Sequence, residues 1–239
     1  MMASPSAADP IEIKYINNPL ALLSCPVVQL EGLVSRPELN GRVGFVLADT
    51  KLGRVYVRIF TPEARTLSIK KRNTSTRISW LPLISIDHDA TLFGSCHLCN
   101  SIIDSADEDN KTYRACCGKF VCSNCALQKD LSMNASSCLL CNAPPPRNKH
   151  EARARALHRL FRFGDLHAAW AVTLSLRSDA SDAYARMETL TAGLGHRQAL
   201  FHIATEEHDY NLLQALSSDS RASSSLRNQA AAAALRNLH

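Results

Sequence analysis

Eight of the nine cysteines in this 239-residue chain fall between Cys96 and Cys141, and they fall in four close pairs. The order is Cys96-x2-Cys99, Cys116-Cys117, Cys122-x2-Cys125 and Cys138-x2-Cys141. A stretch of about fifty residues buries too little apolar surface to hold a fold alone, so it needs a metal or covalent cross-link. Eight thiols are the number that two tetrahedral zinc sites require, and a two-residue gap lets one tight turn aim both sulfurs at one ion. Thiolates also favour zinc over hard cations such as magnesium. Unpaired structural thiols and an iron–sulfur cluster are the alternatives.

Zinc is expected over disulfides because the chain reads as cytoplasmic or nuclear, where thiols stay reduced. Its start carries Asp9 and Glu12 and lacks the basic-then-apolar pattern of a secretory signal. No apolar run approaches the ~20 residues of a membrane helix, so no membrane is expected as a partner. The ninth thiol, Cys25, reads as a small buried hydrophobe rather than a nucleophile.

A chain of this length is expected to form two or three small modules. Its 46% hydrophobic and 21% charged residues exclude a fully disordered chain. Residues 1–24 read as a flexible tail. Over residues 25–82 short β-rich runs alternate with turn signals, as in Val43–Leu47, Arg54–Phe60 and Thr66–Lys70. Asn40-Gly41 marks a tight turn with positive φ angles. Four or five such strands predict a small closed barrel. The runs Leu30-Glu31-Gly32-Leu33 and Ser35-Arg36-Pro37-Glu38-Leu39-Asn40-Gly41, with Gly44, Gly53-Arg54 and Leu67-Ser68-Ile69-Lys70, resemble a short Src-homology-three-like barrel module of algal and other protist proteins. That resemblance implies a fold and no chemistry.

The cysteine region, residues 92–145, resembles an all-cysteine RING or RING-like finger. Cys117-Gly118-Lys119-Phe120-Val121-Cys122-Ser123-Asn124-Cys125 matches the centre of that family's motif, and Cys138-Leu139-Leu140-Cys141 its closing knuckle. The resemblance implies a cross-brace, with Cys96, Cys99, Cys122 and Cys125 on one zinc and Cys116, Cys117, Cys138 and Cys141 on the other. Adjacent residues tend to point apart, so Cys116 and Cys117 need a bent backbone, which Gly118 permits. Otherwise the second site is three-coordinate or borrows a ligand. His97 is read as a neighbour and not a ligand. Eight thiolates and two Zn²⁺ leave a formal charge of −4, which backbone N–H groups and Lys111, Arg114, Lys119 and Lys129 are placed to offset.

Beyond Pro144-Pro145-Pro146, a stiff spacer, residues 150–217 carry helical periodicity. Phe163, Gly164, Ala168, Trp170 and Val172 recur 31 residues later as Leu194, Gly195, Ala199, Phe201 and Ile203. Small residues at such positions let paired helices approach closely. The stretch Ala192–Phe201 is similar to degenerate Sel-one-like repeats, relatives of the tetratricopeptide arrays. Residues 218–239 read as a tail or a frayed helix. The expected fold class is therefore α+β multidomain: a small all-β barrel, a cross-brace zinc finger and α-helical hairpin repeats.

Three function classes follow. A RING-type ubiquitin ligase does no covalent chemistry itself; it holds a charged ubiquitin-conjugating enzyme so that its thioester meets a client's lysine. The family's partner surface implies contacts at Leu98, inside the first knuckle, and Leu140, inside the last. The family's usual tryptophan is missing, Leu139 replaces a proline, and Asn142 stands where a basic linchpin often sits. The alternative is a non-enzymatic protein-interaction scaffold with a purely structural finger. Nucleic-acid binding through Arg36, Arg42, Arg54, Arg58, Lys70, Lys71 and Arg72, with Phe45, Tyr56 and Trp80 for stacking, is the weakest of the three. The net charge of +5 is spread along the chain, which gives it little support. No phosphate loop, nucleophile elbow or His-Glu-x-x-His motif is present.

Overall fold

The computed structural model describes residues 10–50, 52–60, 64–85, 95–101, 103, 111–130, 137–179 and 182–236. Helix α1 (Pro10–Asn17) and a 3-10 turn (Pro19–Ser24) lead into β1 (Val27–Leu30), β2 (Val43–Asp49), β3 (Arg54–Ile59), β4 (Arg65–Lys70) and the short β5 (Thr74–Ser75). These strands form one antiparallel sheet in the order β4-β3-β2-β1-β5. Its register slips by one residue at Leu47, a bulge that bends β2 and tightens the curl. The sheet is curled rather than hydrogen-bonded into the closed barrel expected, because β4 and β5 are its two edges among the described residues.

Asn40-Gly41 does form the tight turn, but only Gly41 takes a positive φ, of 81°, while Asn40 stays extended at −62°. The Arg42 N–H closes the turn on the Leu39 carbonyl at 3.1 Å, as in a type II turn.

Both faces of this small sheet are buried. Val28, Leu30, Val55, Val57, Ile59 and Ile69 fill the inner face with Leu39. Val27, Val43, Phe45 and Leu47 face outward onto helices. All four β1 residues are therefore buried, and the alternation expected of a half-exposed strand is missing.

Part of that cover comes from residues expected as tail. Tyr15 on α1 is buried and donates its hydroxyl to the Leu47 carbonyl at 2.7 Å, and Leu22 in the 3-10 turn has no exposed surface. Residues 10–24 are thus ordered by apolar burial that a local reading of a small-residue segment does not register.

The finger contributes β6 (Lys111–Arg114), β7 (Lys119–Cys122) and α2 (Ser123–Asp130). After it come six helices: α3 (Lys149–Phe163), α4 (Leu166–Leu176), α5 (Asp182–Gly193), α6 (Arg197–Glu206), α7 (Tyr210–Ser218) and α8 (Ser224–Arg236). Each packs chiefly on the next in sequence. Side-chain oxygens of Asn148, Asp165 and Asp209 cap α3, α4 and α7 by accepting N–H groups three residues on. The starts of α4 and α6 lie 31 residues apart, the spacing of the internal similarity. Gly164, at φ 66°, ends α3, and any Cβ there would lie 2.7 Å from the Phe60 carbonyl oxygen. Residues 224–236, expected as tail or frayed helix, form α8 and bury Leu226, Ala230, Ala233 and Ala234.

Arg58 ties the sheet to the helices. Its guanidinium is buried, pairs with Glu12 of α1 at 2.7 Å, donates to the Phe161 carbonyl at the end of α3, and lies 4.4 Å from the Phe161 ring centroid. Burial lowers its pKa and the Glu12 carboxylate opposes that shift. Arg58→Ala leaves Glu12 and a carbonyl without their partner, so it should destabilise the protein by about 3 kcal/mol in urea unfolding of the metal-loaded chain. A loss below about 0.5 kcal/mol would show that solvent replaces the contact.

Candidate metal centre

Three local turns aim the sulfurs. In the first and last knuckles the same five-residue pattern recurs, Cys-x2-Cys-Asn. Asn100 and Asn142 both adopt the left-handed conformation at φ 58°. The Asn100 N–H bonds the Cys96 carbonyl at 2.8 Å, and the Asn142 N–H bonds the Cys138 carbonyl at 2.7 Å. Asparagine is the non-glycine residue best suited to that conformation. Sequence reasoning missed this role for both residues, although their identical offset from each knuckle was the signal. The third turn holds Cys116-Cys117: the N–H groups of Cys117 and Gly118 both bond the Arg114 carbonyl, and Gly118 takes φ 71°. That is the bend two adjacent cysteines need to face one point.

The thiols gather into two groups of four, Cys96, Cys99, Cys122 and Cys125 in one and Cys116, Cys117, Cys138 and Cys141 in the other. Within each group all sulfurs lie within 4.8 Å of one another. Four sulfurs each ~2.3 Å from a central ion stand about 3.8 Å apart at a tetrahedron's edges. The Cys99 and Cys122 sulfurs are separated by 3.8 Å. The donor set and its spacing therefore fit a metal ion in each group. Both Cys116 and Cys117 belong to the second group, so neither a three-coordinate site nor a borrowed ligand is needed.

The electrostatics point the same way. Burial resists ionisation of Cys96, yet N–H groups of Cys122, Cys99 and Leu98 aimed at its sulfur bring the thiol down to about 6. Cys138 is brought down to about 7 against its burial by the N–H of Leu140 and the Cys116 thiol. Cys125, hydrogen-bonded to the sulfurs of Cys99 and Cys122, is pushed up to about 12. Each group so sets readily ionised thiols beside thiols that hold their protons against neighbouring sulfurs, and a cation among them would favour ionisation of all four.

His97 stays outside both groups; its Nδ1 lies 3.2 Å from the Phe120 carbonyl oxygen. Leu98 and Leu140, the two predicted partner contacts, are half-buried against a small core of Cys96, Ile103, Val121 and Ala126. Leu127 on α2 and Leu139 are more exposed, at 59% and 50%. The sequence reading gave neither a partner role. Of the groups expected to offset thiolate charge, Arg114 and Lys119 lie in the hairpin, while the side chains of Lys111 and Lys129 lie outside the described residues. The bent Gly118 instead packs on the Arg159 guanidinium of α3.

The finger is docked on the helices. The Tyr113 hydroxyl donates to Asp165 at 2.7 Å, and Arg159 Nε donates to the same oxygen at 2.9 Å. Phe120 meets the His167 ring edge to face, with centroids 4.5 Å apart. Burial and the adjacent Asp165 charge raise the Tyr113 pKa strongly, so its hydroxyl stays a donor.

No family model, no curated protein and no solved structure matches this chain.

Native mass spectrometry of the full-length chain should show two metal ions bound. The variant carrying both Cys116→Ser and Cys117→Ser should bind one, with Cys96, Cys99, Cys122 and Cys125 intact. Chelation should abolish amide-exchange protection over β6, β7 and α2 while the sheet and α3–α8, which have apolar cores of their own, stay protected. Two ions in the double variant would refute the division into two groups.

Proposed function

We propose that the two thiol groups hold zinc in a RING-like cross-brace, and that the chain recruits a charged ubiquitin-conjugating enzyme and a client protein as a ubiquitin ligase. The observation carrying this reading is the alternation of the thiol pairs along the chain: first with third, second with fourth. A sequential arrangement would string two zinc turns like beads. Alternation ties the first knuckle to the start of α2 and the central hairpin to the last knuckle, so two loops are held side by side as one rigid platform.

When bound, zinc supplies cross-links and draws the thiols into their ionised form; it has no part in the transfer. The chain's own residues do the recruiting. Leu98 and Leu140 present half-buried side chains from the two knuckles, and Leu127 and Leu139 add exposed apolar surface. Catalysis is by positioning, with the thioester held where a client lysine reaches it. Asn142 supplies no cation there, and its side-chain oxygen accepts from the Ser137 hydroxyl at 2.8 Å. The curled sheet, read as a Src-homology-three-like fold, and the helices, read as Sel-one-like repeats, complete a recruitment protein of three modules.

A second reading, the scaffold with a structural finger, is favoured by the Tyr113–Asp165–Arg159 contact. That contact fixes the finger to α3 and α4 as one more packed element.

Ubiquitin discharge from a panel of charged conjugating enzymes separates the two readings. With the zinc-loaded full-length protein, discharge by at least one enzyme should accelerate. Leu98→Ala with two zincs retained should lose about tenfold or more of that acceleration, as truncating an interface anchor does. No acceleration across the panel with both zincs present leaves the scaffold.

A further inference from the structure

The Pro37-Glu38-Leu39-Asn40-Gly41 motif finds no use in the finger chemistry, yet it builds a site. A groove of about 790 Å³ opens between the loop after β1 and strand β4. Arg36, Arg54, Lys70 and Arg72 line it, and no acidic residue does among the described residues. Leu67 supplies apolar lining with the buried Leu39 and Ile69 behind it, joined from the loop by Leu33 and by Val34, whose surface is 94% exposed.

The cations are available. Arg36, Lys70 and Arg72 are exposed and make no ion pair among the described residues, whereas the neighbouring Lys71, outside the groove, is neutralised by Asp49 at 2.7 Å. Arg54 is fixed at the wall by bonds to the Ser68 hydroxyl and carbonyl.

The loop is held in shape from both sides. Asn40 accepts the Leu33 N–H at 2.8 Å and donates to the Leu33 carbonyl at 3.2 Å. Asn73 donates to the carbonyls of Glu31 at 3.0 Å and Gly32 at 2.8 Å. An apolar side chain left in water on a loop braced in this way is pre-organised for a partner.

We propose that this groove docks an extended acidic segment of a partner protein, an aliphatic side chain resting on Leu33, Val34 and Leu67 while flanking Asp or Glu carboxylates meet Arg36, Arg54, Lys70 and Arg72. Charge complementarity selects acidic ligands, and the chemistry selects peptide over nucleic acid. Among the described residues no aromatic lines the groove to stack a base. The rings the sequence offered for stacking are committed elsewhere: Phe45 is buried, Tyr56 packs against the sheet–helix core, and Trp80 donates to Glu207 at 3.0 Å. The proposal is independent of ubiquitin transfer and holds equally for a scaffold.

A phage library of random nine-residue peptides, panned on the zinc-loaded full-length protein, tests it. The enriched sequences should carry Asp or Glu around an aliphatic residue. The best of them, synthesised and labelled, should bind with an affinity that falls with added salt. The double variant Arg36→Glu, Lys70→Glu alters two exposed residues and should bind that peptide about tenfold or more weakly, with circular dichroism and zinc content unchanged. Val34→Ser, which leaves every charge in place, should also weaken it, as a docking role for the apolar loop requires. The proposal is overturned if the enriched peptides are neutral or basic, if none is enriched, or if wild type and charge-reversed protein bind the best peptide alike. Tighter binding of a single-stranded oligothymidylate than of that peptide would overturn it too, in favour of a nucleic-acid surface.

Discussion

Both faces of the five-stranded sheet are buried, and that double burial ties the strands to the helices. Its inner face closes on Leu39 and its own side chains. Its outer face, with Val27, Val43, Phe45 and Leu47, needs a cover that the strands do not supply. Helix α1, the 3-10 turn after it, and helices α3 and α5 provide it. The fit is close: a Cβ on Gly193 of α5 would lie 2.7 Å from the Val43 Cβ. Arg58 then joins β3, α1 and α3 through one buried guanidinium. Modules that look separable in sequence are consequently one packed unit, with the finger fastened to its helical side through Tyr113 and Asp165.

What was legible in the sequence was local. Four cysteine pairs supplied the thiols for two four-thiol groups, and the RING-like resemblance implied which pairs share a group. β-branched runs between turn residues gave the strands, and the recurring Gly164 and Gly195 gave the helix-pair offset. What stayed hidden was long-range. Tyr15 and Leu22 sit in a segment with weak local pattern and are ordered by a sheet that follows them in the chain. Ala230, Ala233 and Ala234 read as a tail because alanine carries little hydrophobic signal, yet their small size lets α8 lie close on α7. Arg58 read as a surface cation among seven, and only the arrival of Glu12 and Phe161 makes it buried.

The same distinction bears on the residues proposed to face a partner. Leu98 and Leu140 each serve two purposes, supporting the finger's small core while remaining half exposed. Truncating either one mixes a folding effect with a binding effect, which is why retained zinc has to accompany any loss of discharge. Leu127 and Leu139 carry more open surface and less core. They report on binding with less disturbance to the fold.

The chain's two candidate binding surfaces differ in chemistry, and that difference has a consequence. Two divalent ions on eight thiolates would leave the finger formally negative, with the Arg159 guanidinium of α3, itself paired to Asp165, packed on the turn that bears Cys116 and Cys117. Its exposed apolar side chains are leucines, so the recruitment proposed there would depend on apolar burial and resist salt. Among the described residues the groove beside β4 is lined by four cations and no acid, so its occupancy weakens as ionic strength rises. An acidic segment is attracted to the groove and disfavoured by the finger, which keeps the two surfaces from competing for one ligand. Because sheet, helices and finger pack as one body, partners bound at the two places are held in a fixed relation. A ligand that carried both an acidic segment and an apolar face for the finger would therefore meet the second place at a raised effective concentration.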